Sequence, residues 1–360
     1  MLGRLKAMKK IAIDVRMISS SGIGVYIKSI LSRLISKSEF KYYLLGNREE
    51  LLIYSNFNNV EIIEFDSKIY SINEQFQFIK KIPKDIDLFW SPHYNIPVFY
   101  KKKLLVTIHD IFHIDFPYKK GILERLYPII MFKIILRKAN KIISVSNFTK
   151  TRLVKRLSFN SDKIKVIYNG VDITKPIENF KINKPYILYV GNVKPHKNLN
   201  CLVQAFKKIK GEIPHNLVIV GKKSGFINND NNISSYMNQL RDRIIFTGLV
   251  SDERLSNLYK NAECLVCPSL YEGFGLTPLE AMANGCPTIV SDIEVFREIY
   301  GNSAIFFNPN DSTILSEKLK ELINDESLKI NLVNRGLERS KFFSWDKTAR
   351  ETIDLIRSII

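Results

Sequence analysis

Two carboxylates bracketing a glycine-rich turn are the densest chemical signal in this chain. The run Glu272-Gly273-Phe274-Gly275-Leu276-Thr277-Pro278-Leu279-Glu280-Ala281-Met282-Ala283-Asn284-Gly285-Cys286-Pro287-Thr288-Ile289-Val290-Ser291-Asp292 reads as strand, turn, helix, turn and strand. Gly273 and Gly275 let backbone come close to a ligand. The helix expected from near Thr277, with Pro278 in its first turn, offers free N–H groups to an anion. A phosphate or a sugar hydroxyl suits that turn. Glu280, expected in the first turn of the helix, would flank the ligand together with Glu272, and a vicinal diol is a natural partner for either. Two glutamates at this spacing mean little alone, since acids near a helix N-terminus are usually dipole-matched surface residues. The whole string is far more specific.

Three further segments place chemistry after short apolar runs. Gly191-Asn192-Val193-Lys194-Pro195-His196-Lys197-Asn198-Leu199 follows the run Tyr186 to Val190 and opens a helix through Ala205-Phe206. Its lysines read either as a solvated helix start or, given their position after a strand and a glycine, as an anion clamp. Ser21-Gly22-Ile23-Gly24-Val25-Tyr26 stands where glycines bring backbone close to phosphate, but it lacks the third glycine of a dinucleotide fingerprint. His109-Asp110 ends the run Leu104 to Ile108, either as a structural histidine or as one aimed at a ligand.

These segments need strands to deliver them. Apolar runs alternate with longer amphipathic stretches at Ile11–Val15, Tyr42–Leu45, Val60–Ile63, Leu88–Trp90, Leu104–Ile108, Ile142–Val145 and Ile164–Tyr168, the alternation of a parallel α/β sheet. The pattern restarts at Tyr186–Val190 and continues through Leu217–Val220, Ile244–Thr247, Cys264–Cys267, Thr288–Val290 and Ala304–Phe307. Two doubly wound domains are expected, 1–175 and 176–343, with a turn-rich linker near 170 to 184 and an interdomain cleft facing the carboxyl ends of both sets of strands. The last segment, 344–360, reads as an amphipathic helix capped by Ser344 and packing back on the first domain.

Glu272 and Glu280, with seven residues between them, resemble the E-x7-E signature of the family 4 retaining glycosyltransferases of the GT-B fold, two Rossmann-like domains, and the resemblance spans nearly the whole chain. It implies that Glu280 holds the ribose hydroxyls of a nucleotide. Glu272 and the Gly273-Phe274-Gly275 amides would meet the donor sugar, and the backbone at Leu276 and Thr277 the diphosphate. The Gly191–Leu199 segment is similar to the family's diphosphate clamp, with Lys197 as the lysine that neutralises the leaving diphosphate. The arginine usual one residue earlier is His196 here, the alternative arginine position is Asn192, and Lys194 is the charge left to compensate. The resemblance likewise implies that Gly22 and Gly24 border the donor diphosphate, that His109 hydrogen-bonds the donor sugar without serving as a general base, and that backbone at Thr247, Gly248 and Leu249 meets the nucleobase. Ser146 would reach the cleft, and Asn169 and Gly170 would shape the hinge.

Composition sets the remaining bounds. The chain has 360 residues, 45% hydrophobic, enough for two ordinary cores. Residues 1–180 hold 31 Lys+Arg against 16 Asp+Glu and residues 181–360 hold 23 against 20, so nearly all of the +18 net charge lies in the first half. That asymmetry suggests an anionic partner: a phospholipid surface, a lipid-linked diphosphate or a nucleic acid. The segment Lys119 to Lys150, with Leu123, Leu126, Tyr127, Ile130, Met131 and Ile134, reads either as a membrane-lying amphipathic helix or as a helix packed on the sheet. Met1 to Ala7 reads as an extension outside the fold, and neither a membrane span nor a secretory signal is expected. Cys201, Cys264, Cys267 and Cys286 lack the spacing of a disulfide framework, and Cys264-Leu265-Val266-Cys267 reads as a buried strand and not as a metal site, so a reducing cytosol is expected.

The expectation is therefore a metal- and cofactor-independent hexosyltransferase. It would move sugar with retention from a nucleotide-diphosphate donor to a lipid-linked oligosaccharide, peripheral on the inner face of the cell membrane, with His109, Glu272 and Lys197 as its catalytic residues. The resemblance extends to bacterial mannosyl and rhamnosyl transferases of surface-polysaccharide assembly, which makes GDP-mannose the first donor to try, with UDP-hexoses open. Rivals are a sugar-nucleotide epimerase on the same scaffold, a nucleic-acid-binding protein, for which no recognition motif is found, and a dinucleotide oxidoreductase, whose glycine loop is incomplete.

Overall fold

The computed structural model describes residues 8–37, 39–116, 122–173, 182–221 and 240–360. The extension at 1–7, the middle of the expected linker and residues 119–121 lie outside the described residues. The chain divides into two compact units, one of residues 8–170 with 345–360 and one of 171–344.

In the first unit the strands are β1 (Lys10–Asp14), β2 (Lys41–Gly46), β3 (Val60–Glu64), β4 (Leu88–Ser91), β5 (Leu104–Ile108), β6 (Lys141–Ser144) and β7 (Ile164–Val166). They form one sheet in the order β3-β2-β1-β4-β5-β6-β7, and every neighbouring pair is parallel. Strands covered on both faces read as continuous apolar runs, and β4 and β5 are buried at every position. The helices between them are α1 (Ser21–Ser36), α2 (Arg48–Leu51), α3 (Ile72–Lys81), α4 (Phe112–Asp115), α5 (Ile122–Lys138) and α6 (Asn147–Leu157). The side chains of Asn47, Ser71 and Ser146 accept first-turn amides and start α2, α3 and α6.

The segment Lys119 to Lys150 is not one amphipathic helix, because β6 interrupts it between α5 and α6. Met131, Phe132 and Ile135 enter the core beside Ile142, while Leu126 and Ile130 remain exposed. Apolar residues therefore lie on both sides of α5, and packing on the sheet claims one of them.

The second unit holds β8 (Tyr186–Val190), β9 (Asn216–Val220), β10 (Ile244–Gly248), β11 (Cys264–Cys267), β12 (Thr288–Ser291) and β13 (Ile305–Phe307), parallel throughout in the order β10-β9-β8-β11-β12-β13. Its described helices are α7 (Leu199–Ile209), α8 (Asp252–Asn261), α9 (Leu276–Ala283), α10 (Glu294–Tyr300), α11 (Ser312–Asn324) and α12 (Glu326–Ser340). The buried face of α7 meets the sheet through Leu199, Leu202, Val203 and Phe206. All four cysteines are buried and unpaired, two of them in β11.

The last helix, α13 (Trp345–Ile359), belongs to the first unit and packs on α1. Its buried positions Trp345, Thr348, Ala349, Thr352, Ile353 and Ile356 recur at helical spacing. Arg33 bonds Asp346 at 2.7 Å, Thr348 donates to the Tyr168 carbonyl at 2.6 Å, and Arg357 grips both oxygens of Glu39 at 2.8 Å. Among the described residues no helix is long and apolar enough to cross a membrane.

Candidate active site

Both sheets reverse their strand order at the centre: β1 lies between β2 and β4, and β8 between β9 and β11. Loops leaving such a pair turn to opposite faces and open a crevice at the carboxyl ends, where open α/β sheets bind ligands.

In the second unit the crevice is built by the loops after β8 and β11. Beyond Gly191 and Asn192 the first loop makes one 3-10 turn, Pro195–Lys197, with Lys194 exposed at its cap; the left-handed Asn198 then redirects the chain into α7. The Leu270 amide donates to the His196 carbonyl at 2.8 Å and ties the two loops together. Across that tie Lys197 Nζ lies 2.5 Å from Glu272 Oε1, which also accepts from Ser269 Oγ at 2.8 Å. The side chains of Lys197 and Glu272 are 28% and 15% exposed, sheltered yet reachable by a ligand.

Gly275 sets where the next helix starts. Its φ of 91° lies in the left-handed region, and a Cβ there would fall 2.2 Å from the Tyr300 hydroxyl, which donates to the Gly275 carbonyl at 2.6 Å. The turn lets α9 begin at once at Leu276, one residue before the expected Thr277, so the Leu276 and Thr277 amides belong to its first turn. Glu280 consequently falls in the second turn, not the first. Phe274 sends its ring into the core against Phe343, centroids 5.7 Å apart, and buried Gly273 precedes it.

Glu280 accepts a hydrogen bond from the Tyr259 hydroxyl on α8 at 2.9 Å. Burial pushes its carboxyl up to about 7, against that hydrogen bond, and the charge of Asp252 adds to the rise. Thr247 and Gly248 end β10, Gly248 turning left-handed at φ 72°, and Leu249 just after it is exposed. Gly191 N bonds Val220 O at 2.9 Å and Gly221 N bonds Gly248 O at 3.0 Å, so backbone alone links the ends of β8, β9 and β10.

In the first unit His109 follows β5, with Nε2 2.9 Å from the Pro92 carbonyl and its ring edge-on to Tyr26 at 4.9 Å. A carbonyl only accepts, so Nε2 carries the proton of the neutral ring and Nδ1 keeps a lone pair. Burial lowers the ring to about 4, a shift that the Pro92 bond opposes and His93 reinforces; a group that acidic is a weak base near neutrality. Gly24 is required by packing, because a Cβ would meet the Ile18 carbonyl at 2.4 Å, whereas Gly22 faces open space. Ser146 does not reach outward: it is buried and caps α6 by accepting the Thr149 amide at 3.0 Å. Two surface hollows, one lined by Lys10, Lys41 and Asn59 and one by Lys101, Lys103 and Asn140, lie at the amino ends of the strands, away from these loops.

Comparison with known proteins identifies the family and the fold. The family Glycosyltransferase Family 4 matches residues 21–175 and Glycosyl transferases group 1 matches 171–339. An uncharacterized glycosyltransferase of Methanocaldococcus jannaschii, MJ1178, is 30% identical over 91% of either chain. This chain belongs to the family 4 glycosyltransferases. The O-antigen chain mannosyltransferase RfbU of Salmonella typhimurium is 33% identical over 64% of this transferase and 63% of its own length; the O-antigen chain mannosyltransferase B of Escherichia coli is 26% identical over 93% and 95%. Sucrose-phosphate synthase from Thermosynechococcus elongatus superposes with a TM-score of 0.78 at 19% identity, covering 97% of this chain and 98% of that one. Anabaena Alr3699/HepE in complex with UDP-glucose gives 0.78 at 16%, covering 97% and 99%. The fold is that of the GT-B glycosyltransferases.

Within each unit, then, this glycosyltransferase gathers part of its expected site. Lys197 and Glu272 touch, His196 lies on the tie between their loops, and Gly275, Leu276 and Thr277 start α9. Glu280 is engaged separately by Tyr259. Sequence reasoning missed a buried polar cluster at the β1/β4 crevice of the glycosyltransferase's first unit. There Arg16 bonds both oxygens of Asp14, at 2.8 and 2.7 Å, and Glu74 at 3.0 Å; His93 Nε2 stands 3.2 Å from Asp14, and Asn95 donates to Glu74 at 2.9 Å. The charge and hydrogen bonds of Arg16, helped by His93, outweigh the burial that would raise Asp14 and hold its carboxyl below the ordinary range. The only signal in the sequence was an Asp and an Arg at the carboxyl end of the first strand, a place where charge needs a partner.

Proposed function

We propose that this glycosyltransferase moves a hexose, with retention at the anomeric carbon and without a metal, from a nucleotide-diphosphate sugar to a lipid-linked glycan in the synthesis of O-antigen, capsule or exopolysaccharide. Mannose from GDP-mannose is the first assignment, supported by the names of RfbU and mannosyltransferase B; rhamnosyl or glucosyl transfer is the nearest variant, and HepE holding UDP-glucose keeps a UDP donor in view. The observation that carries the reading is the half-sheltered Lys197–Glu272 pair beside the free start of α9.

In this reading the diphosphate lies against the Leu276 and Thr277 amides and draws Lys197 away from Glu272. Lys197 then neutralises the charge that grows as the diphosphate leaves, while Glu272 is released to accept a donor-sugar hydroxyl. Glu280 holds the ribose hydroxyls, and backbone at Thr247–Leu249 meets the base. His109 accepts a sugar hydroxyl at Nδ1. Acceptor and leaving group share one face, and the departing phosphate oxygen takes the acceptor proton, so the protein supplies position and charge stabilisation. Asn192, Lys194 and His196 stand around the diphosphate, which Gly22 and Gly24 would also border. Transfer would occur at the inner face of the cell membrane.

The test is calorimetric binding of GDP, UDP and dTDP with EDTA present. Selective GDP binding supports mannosyl transfer, and UDP or dTDP selectivity redirects the donor. Absence of binding to all three overturns the reading. A sugar-nucleotide epimerase would instead turn over donor with no acceptor added.

A further inference from the structure

Helix α3 is built with its faces reversed. Ile72, Phe76 and Ile79 follow the i, i+4, i+7 spacing by which a helix turns one face to the core, yet they are 81%, 57% and 60% exposed. The buried face holds Glu74 and Phe78 instead.

Rotation cannot repair this. Glu74 accepts from Arg16 at 3.0 Å, from Asn95 at 2.9 Å and from the Tyr70 amide at 3.0 Å, and turning it outward would leave the buried Arg16 short of charge. Phe78 is held edge-on to Phe65 at 4.8 Å and to Phe89 at 5.8 Å. Gln75 extends the outer face: its side chain donates to Ile96 O at 3.2 Å and accepts from Val98 N at 2.8 Å, strapping down the loop that presents exposed Phe99. A rigid, outward apolar stripe of this kind marks an interaction surface.

Charge selects the partner. Lys80 and Lys81 are exposed in the last turn of α3, and Lys68 and Lys84 in the segments flanking it; Glu74, the single acid between residues 67 and 84, is buried against Arg16, while exposed Asp66 and Asp85 bound that span and Asp85 is paired with Lys10. Apolar side chains among lysines, with no exposed acid in that span, match an anionic bilayer: the side chains enter the acyl boundary and the ammonium groups meet the headgroups. We propose that α3, with Phe99 beside it, docks this chain on an anionic lipid surface. This deepens the membrane part of the proposed function and moves the contact away from α5.

Co-sedimentation of the full chain with vesicles tests it. Vesicles of phosphatidylethanolamine with phosphatidylglycerol should bind the protein, and phosphatidylcholine vesicles should bind it weakly. Ile72→Ser with Phe76→Ser and Ile79→Ser should lower partitioning by about tenfold or more. Lys80→Gln with Lys81→Gln and Lys84→Gln, which keeps the apolar stripe, should lower it comparably at low salt and flatten its salt dependence. Leu126→Ser with Ile130→Ser on α5 should change nothing, and thermal unfolding checks that each variant is folded. The proposal is overturned if wild type ignores anionic vesicles, if both α3 variants bind like wild type, if the α5 variant alone loses binding, or if the stripe proves to support self-association without lipid. Nucleoside diphosphate binding on the same samples separates the two readings: retained nucleotide with no vesicle binding sinks docking alone, and the reverse sinks transfer alone.

Discussion

The two crevices occupy equivalent places in equivalent sheets and hold opposite kinds of electrostatics. At β1/β4, the side chains of Asp14, Arg16 and Glu74 are buried, each charge answered by more than one partner and the guanidinium packed over Phe65 and Phe78 at 4.2 and 4.8 Å. At β8/β11, Lys197 and Glu272 pair with each other while partly open to water. The first arrangement has no reason to open, since a ligand would have to replace several bonds in a dry interior. The second can exchange its partner for an incoming anion at small cost. Topology thus places a crevice twice, and burial sets how readily the charges at each can change partners.

Replacing charges tests that contrast most strongly. Arg16→Met should leave two buried carboxylates uncompensated and cost about 3–5 kcal/mol, read as a lower denaturation midpoint with nucleotide binding by the second unit retained. Lys197→Ala should do the opposite: stability should change by less than about 1 kcal/mol, while turnover falls about a hundredfold through lost stabilisation of the leaving group. Near wild-type turnover in that variant would remove Lys197 from the chemistry.

Glu280 sharpens the comparison through pH. Its carboxyl titrates near 7 in the folded chain against an ordinary value of 4.5, so between those values the unfolded chain has lost a proton that the folded chain keeps. Stability contributed at this site is therefore present below pH 4.5 and falls as pH rises toward 7. Glu280→Gln should raise the unfolding midpoint at about pH 8, by roughly 1–3 kcal/mol in stability, leave it unchanged at about pH 4, and weaken nucleotide binding. Equal effects at both pH values would refute the burial account. The smallest change is expected from Ser269→Ala, which removes one hydrogen bond to Glu272, about 1 kcal/mol, and should slow turnover only a few-fold in steady-state assays.

The sequence made the strands, the two-sheet organisation and the loops at β8 and β11 legible, because apolar alternation, glycine turns and caps are local signals. It placed the start of α9 one residue late, and so Glu280 in the first turn instead of the second, because that start depends on Gly275 meeting Tyr300, 25 residues away. The amphipathic segment at 119–150 failed for a related reason: a strand that pairs with β5 and β7 cuts through it.

What the sequence by itself determined is the set of elements, the glycine-bounded loops and the family signature, all encoded within a few consecutive residues. The tertiary structure alone decided which charges meet. Arg16 and Glu74 are 58 positions apart and Lys197 and Glu272 are 75 apart, and only the folded sheets bring them together. The same long-range pairing fixes which face of α3 is buried, because turning Glu74 outward would remove a partner from the buried Arg16.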